Sequence, residues 1–267
     1  MPGFTLISLR VALVASLGIA GGGMTRVAWG ALLQGASEEI ADWTEVLKPG
    51  FDPWIETHGA DTVLRSRVLD GLGTASEVHD KAGALIDVLK GAVALSQGAG
   101  PLKYGGVAEL SADGKLHKHV FASMHIELDR VRMHAVGLAL GPDGKPLPPP
   151  PAQPSEVQYW SATAQSDGLI EDALIYYGRA TDWFDIYKAL ECLILKFGSG
   201  RSDGQREKAF KQLGWAPKND IERLKRTANW LRHAQRKYER PSSPMPIQEA
   251  RSLLGALLRR ALTEGTK

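Results

Sequence analysis

The stretch GPDGKPLPPPPAQPSE, residues 141–156, divides the chain into two segments of different pattern. Six of the nine residues 146–154 are proline. Such a run favours polyproline II, which has no internal hydrogen bonds and rises roughly 3.1 Å per residue. It predicts a stiff linker over 146–154, and a peptide ligand for an aromatic groove remains the alternative. We therefore expect one domain over 24–145 and another over 155–267.

The segment before the linker carries strand patterns. TRVAWGALL (25–33) and DTVLRSRVL (61–69) are short and rich in β-branched and apolar residues. Asp113-Gly114 lies between two alternating runs and predicts a hairpin. A third run, 123–140, is expected to complete a small antiparallel sheet. Thr74 and Glu77 have capping-box spacing ahead of an apolar stripe, which predicts a helix over about 75–96.

The segment after the linker carries only helical patterns. Apolar residues recur at helical spacing from Trp183 to Phe197 and from Ile247 to Leu258. Two more helices are expected, one over about 157–179 and one beginning near Asn219 or Asp220. The sequence thus predicts an α+β fold: a small mixed N-terminal domain with an antiparallel hairpin, and an all-α C-terminal bundle of four helices.

Composition excludes some classes of site. The single cysteine, Cys192, rules out an internal disulfide framework and a cysteine-rich zinc site. We find no P-loop, GxGxxG or HExxH motif, and therefore expect no cofactor and no metal. The net charge is only +2, so binding to a polyanion requires a local patch. Residues 218–240 supply one, with eight lysines and arginines against three acids.

Residues 1–23 contain an uncharged run, VALVASLGIAGGG (11–23), that is too short to span a bilayer. It has the length of a signal-peptide core, but one preceding positive charge and no clean cleavage site argue against export. We interpret 1–23 as an extension, disordered or produced by a misplaced start ahead of Met24. The signal peptide remains the alternative. We expect a cytoplasmic protein without membrane contact.

The basic patch has the composition of a phosphate site. Its predicted helix should bury the face of Ile221, Leu224, Ala228 and Leu231. A second face, within about 80° on a helical projection, carries Arg226, Asn229, His233 and Arg236.

These residue types suit metal-independent RNA cleavage. A histidine can move protons at the 2′-hydroxyl and the leaving oxygen, and arginine can hold the phosphate. We predict His233, Arg226 and Asn229 as catalytic. The predicted nucleic-acid contacts are Arg232, Arg236, Lys225 and Lys237. The alternative is a solvated basic face without chemistry.

A resemblance adds to this interpretation. IYKALECLI (186–194), TANWLRHAQ (227–235) and PSSPMPIQEARSLLGALLRRAL (241–262) resemble a widespread set of uncharacterised bacterial proteins. In that set an Arg-His-Ala element precedes a proline-containing loop and a final helix. The resemblance covers the C-terminal third to half of the chain and supplies no function.

More remotely, the helical segment resembles HEPN domains, which often dimerise and carry an Arg-x4-6-His ribonuclease motif. Arg226 and His233 have six residues between them, and Asn229 stands four before His233. Ala228 departs from the pattern, because the family has arginine there.

The HEPN resemblance implies an RNA-binding protein, and an endoribonuclease of the kind found in antiviral defence or toxin systems. It also implies a homo-oligomer, since such sites are often assembled across a two-fold axis. The alternative is a non-enzymatic module, either a dimerising adaptor or a nucleic-acid-binding domain.

Two further patterns have weaker interpretations. Four histidines, His117, His119, His125 and His134, cluster around the predicted hairpin, and His-x-His can ligate zinc. No carboxylate or cysteine at matching spacing completes a site, so we interpret them as solvent-facing sheet histidines. GRSDG (200–204) matches the serine-hydrolase motif, but helical periodicity precedes it where a strand is required. We predict a polar loop there.

Overall fold

A computed structural model describes residues 28–98, 100–111, 113–121, 152–233 and 237–264. An antiparallel sheet forms in the N-terminal segment and helices fill the C-terminal segment. The predicted α+β fold is therefore confirmed.

The sheet has five strands in the described residues, in the order β2-β3-β1-β4-β5, and every neighbouring pair is antiparallel. The strands are β1 (Ala28–Gln34), β2 (Trp54–His58), β3 (Asp61–Arg65), β4 (Lys103–Leu110) and β5 (Leu116–His119). The predicted hairpin joins β4 to β5, and Gly114 adopts φ +80° at the turn, a conformation that glycine tolerates without strain.

The short helices α1 (Ser37–Val46) and α2 (Arg67–Asp70) connect strands. Helix α3 (Ala75–Ser96) matches the predicted bounds and begins with the predicted capping box. The Glu77 backbone N–H donates to Thr74 Oγ1 at 3.3 Å, and the Thr74 N–H donates to Glu77 Oε2 at 3.0 Å. Because both partners are local in sequence, spacing alone located this helix.

Six helices form the described part of the C-terminal segment rather than the predicted four. They are α4 (Glu156–Ser166), α5 (Gly168–Arg179), α6 (Trp183–Phe197), α7 (Asp203–Gln212), α8 (Lys218–Arg232) and α9 (Ile247–Glu264). The predicted helix over 157–179 is interrupted at Asp167, whose carboxylate accepts from the N–H groups of Leu169 and Ile170 and caps a new helix. The apolar periodicity runs through this break and concealed it.

Helix α3 is the element that joins the two segments. It packs against the sheet on one side and against α4 and α5 on the other. At the crossing with α5, a Cβ added to Gly91 would overlap the Leu174 carbonyl, and one added to Gly178 would come within 2.8 Å of the Gly91 nitrogen. The two helix backbones therefore touch directly.

A single cluster of buried side chains extends from the sheet through α3 to α9. Gln158 of α4 adds polar contacts between the segments. Its buried side-chain amide donates to the carbonyls of Lys48, Phe51 and Pro53 at 2.9, 3.2 and 2.8 Å. The described parts of the two segments thus share one core.

Several sequence predictions concern residues outside the described ones. They are the extension over 1–23, the third strand run over 123–140 with His125 and His134, and residues 146–151 of the linker. The division into domains stays a prediction.

Candidate nucleic-acid interface

Helix α8 presents the predicted basic patch, and its buried face agrees only partly with the sequence. Ile221, Leu224 and Ala228 are buried, as expected. Leu231 is 45% exposed, although the spacing placed it with them. The helix ends one residue later, at Arg232. Leu231 therefore lies in its last turn, beyond the part of α8 that is buried through Ile221, Leu224 and Ala228.

Arg223 and Thr227 attach α8 to the chain that leads into α9. Arg223 donates from Nε to the Ser243 carbonyl at 3.0 Å and from Nη2 to the Pro244 carbonyl at 3.1 Å, and Nη1 binds Glu249 at 2.6 Å. Thr227 Oγ1 accepts from the Met245 N–H at 3.0 Å. This arginine therefore has a structural role, although it belongs to the basic stretch.

Lys225 and Arg226 differ in how available they are to a ligand. The Lys225 ammonium pairs with Glu207 of α7, which also binds Lys211. Arg226 is 75% exposed, and its guanidinium lies 3.7 Å from Glu222. Of these two predicted site residues, only Arg226 has its charged group largely exposed to solvent.

Arg232, the last residue of α8, is held by two neighbours. Its guanidinium carbon lies 3.5 Å from the centre of the Tyr187 ring of α6. Its Nε and Nη2 donate to Asn229 Oδ1 at 3.1 and 2.9 Å. Asn229 therefore supports Arg232 in this structure.

His233 leaves the helix. It is the C-terminal cap residue, with φ −101° and ψ 157°, so its side chain does not continue the face of Arg226 and Asn229. The prediction that His233 shares a helix face with Arg226 and Asn229 is therefore wrong. The ring contacts Tyr238 instead, with centroids 5.0 Å apart. Partial desolvation, followed by the charges of Arg232 and Lys237, lowers the pKa of His233 below its usual value.

The chain after the helix adds further pairs of cation and aromatic ring. Lys237 Nζ lies 5.6 Å from the Tyr238 ring centre, and the Arg240 guanidinium lies 5.3 Å from that of Trp230. Arg236 lies outside the described residues. The α8-end surface, as we call it, comprises Tyr187, Arg232, His233, Lys237 and Tyr238. Trp230 lies about 160° from Arg232 around the helix axis, so the Trp230–Arg240 pair is separate from it.

The structure thus brings Arg232, His233 and Lys237 together with Asn229, and leaves Lys225 engaged elsewhere. The aromatic residues were missed. Tyr187 lies within the apolar recurrence from Trp183 to Phe197, which indicated only core packing, yet it is half-buried and supports Arg232. The available signal was the alternation of Trp230, Tyr238 and the cations along the chain.

The alternative sites have ordinary structural roles. Ser202 caps α7, because its hydroxyl accepts from the Gln205 N–H at 3.3 Å, and α6 precedes it where a hydrolase needs a strand. His119 contacts Glu109 at 2.9 Å. Within the described ranges, no three His, Cys, Asp or Glu side chains gather as metal ligands.

The chain matches no protein-family profile, no curated protein and no solved structure. None of the helices in the described part of the chain is both long and apolar enough to cross a bilayer.

Proposed function

We propose that the protein binds RNA through the α8-end surface. One observation carries the proposal: Arg232 lies on the Tyr187 ring, and the next residue, His233, shares the Tyr238 ring with Lys237. No carboxylate among the described residues forms an ion pair with Arg232 or Lys237, whereas Arg223 and Lys225 of α8 are paired. Their charge is therefore available to a polyanion.

The rings favour a single strand over a duplex. Tyr238 is 40% exposed and lies beside His233 and Lys237. Unpaired bases stack on such rings while neighbouring cations contact the phosphates. A duplex hides its base faces and would use only the cations.

The test is binding of a fluorescent single-stranded RNA at several salt concentrations, with EDTA present. In an Arg232→Ala/Lys237→Ala variant, affinity should fall and the slope of log K against log salt should decrease by about 1.4, from about 0.7 per phosphate contact. The matched control is Lys48→Ala/Lys103→Ala, which removes two exposed charges elsewhere. Equal losses in both variants would contradict the proposal.

Metal-independent cleavage of the bound RNA is the second candidate function. It is favoured by the lowered pKa of His233, which leaves the ring neutral and able to accept a proton beside Arg232 at pH 7. Asn229 supports Arg232, and His233 does not share the helix face of Arg226, so the geometry favours binding over catalysis. Fragments with 2′,3′-cyclic ends that form in EDTA and disappear in His233→Ala would establish cleavage. If the RNA stays intact, cleavage is excluded and the binding function remains.

A further inference from the structure

Arg232 differs from the other cations of the α8-end surface in how firmly it is held. A guanidinium has five N–H donors in one plane. The edge formed by Nε and Nη2 donates to Asn229, and the flat face lies on Tyr187. The Nη1 donors and one Nη2 donor have no partner among the described residues. The end of the fork therefore points away from its supports with its donors available.

We propose that Arg232 is a phosphate anchor, and that Tyr187 and Asn229 are positioning residues that hold its guanidinium for a phosphate group. This inference rests on the RNA-binding function proposed above and deepens it by naming the contact. Two parallel N–H donors at the end of an arginine fork match two oxygens of one phosphate. Because the support fixes the plane beforehand, little side-chain freedom remains to be lost on binding.

The surroundings favour phosphate over carboxylate. His233, next to Arg232 in the chain, shares the Tyr238 ring with Lys237, so the cations and an exposed ring lie close together. A terminal phosphate has three oxygens and can meet the arginine fork and a neighbouring donor with separate oxygens. An internal phosphodiester has two, as a carboxylate does, and differs from it through the base that can stack on Tyr238. An acidic peptide is thus the competing ligand, and the test distinguishes it.

Tyr187 and Asn229 act through Arg232. The Tyr187 ring supplies a face under the guanidinium, which a phenylalanine would also supply and a leucine would not. The Asn229 carbonyl oxygen fixes the Nε edge. This assignment replaces the catalytic role predicted for Asn229 from its spacing to His233.

The first experiment titrates inorganic phosphate into ¹⁵N-labelled protein and follows the Nε–Hε signal of Arg232, assigned by its loss in Arg232→Lys. We expect a saturable shift in the wild type and in Tyr187→Phe. In Tyr187→Leu and Asn229→Leu the phosphate affinity should fall about tenfold, as expected for the loss of one charge-assisted contact. No shift in the wild type, or equal affinity for acetate, would overturn the anchor.

The second experiment measures RNA binding with the same variants. Arg232→Lys keeps the charge and the salt slope but should weaken binding about tenfold, because the fork is lost. If Arg232→Lys binds like the wild type, the anchor is wrong while RNA binding stands. A phosphate shift without RNA binding would instead remove the proposed function and keep the anchor.

RNA oligomers with and without a 5′-phosphate identify the source of the phosphate. Equal affinities would assign the anchor to the internal backbone, and an affinity gain that is lost in Arg232→Lys would assign it to the terminus. A gain that Arg232→Lys retains would overturn the anchor. Melting followed by circular dichroism checks that Tyr187→Leu and Asn229→Leu remain folded.

Discussion

At the scale of single residues, α8 shows that charge in a sequence does not reveal availability. Arg223, Lys225 and Arg232 occupy one helix within ten residues, yet their partners differ. Arg223 binds two carbonyls and Glu249, Lys225 binds Glu207, and Arg232 lies on a tyrosine. Of the three, only Arg232 has no carboxylate partner among the described residues, and the distinction depends on residues distant in the chain.

His233 gives the surface a pH dependence with a defined sign. Its pKa is lowered by partial desolvation and by Arg232 and Lys237, so the ring gains its proton only below the ordinary histidine value of about 6.5. Protonation adds a positive charge, so RNA affinity should rise as the pH falls through that lower pKa. The increment should vanish in His233→Gln, measured by anisotropy between about pH 5 and 8 at constant salt. Affinity that does not change over this range, or an equal rise in His233→Gln, would contradict the assignment.

At the scale of elements, the crossing of α3 and α5 depends on two glycines. Gly91→Ala would place a methyl group in the Leu174 carbonyl, so the helices must separate. We expect a loss of about 1–3 kcal/mol in the free energy of unfolding, the usual cost of overpacking. Gly83→Ala is the matched control, because it lies in the same helix with nothing within 4 Å of the added carbon. There the better helix propensity should raise stability by roughly 0.5–1 kcal/mol, measured by urea unfolding.

The elements also show where sequence patterns carry enough information. Helix α3 was predicted with its bounds, because its cap and its stripe are local. The end of α8 was not, since nothing within its periodicity marks the change at His233 from helical to extended backbone. Helix α7 was missed because its apolar content is low and only Phe210 is buried. The Tyr187 contact depends on the packing of α6 against α8, which one-dimensional spacing does not contain.

At the scale of the whole molecule, the shared core bears on whether the segments before and after the proline-rich run fold independently. Domains joined only by a linker fold independently, whereas segments that share a core do not. The α4 and α5 helices bury apolar residues against α3, and Gln158 uses its amide on carbonyls of the N-terminal segment. Separation would expose both the apolar surface and three carbonyls that Gln158 now satisfies.

We therefore expect residues 155–267 alone to lack a cooperative unfolding transition, because the surface that covers α4 and α5 is missing. The full chain should unfold in one transition by both tryptophan fluorescence and circular dichroism. A protease site inserted in 146–154 supplies the control: the cut pieces should stay together on size exclusion, since the core rather than the linker holds them. A stably folded 155–267 fragment with the melting temperature of the full chain would show instead that the helical segment is a domain of its own.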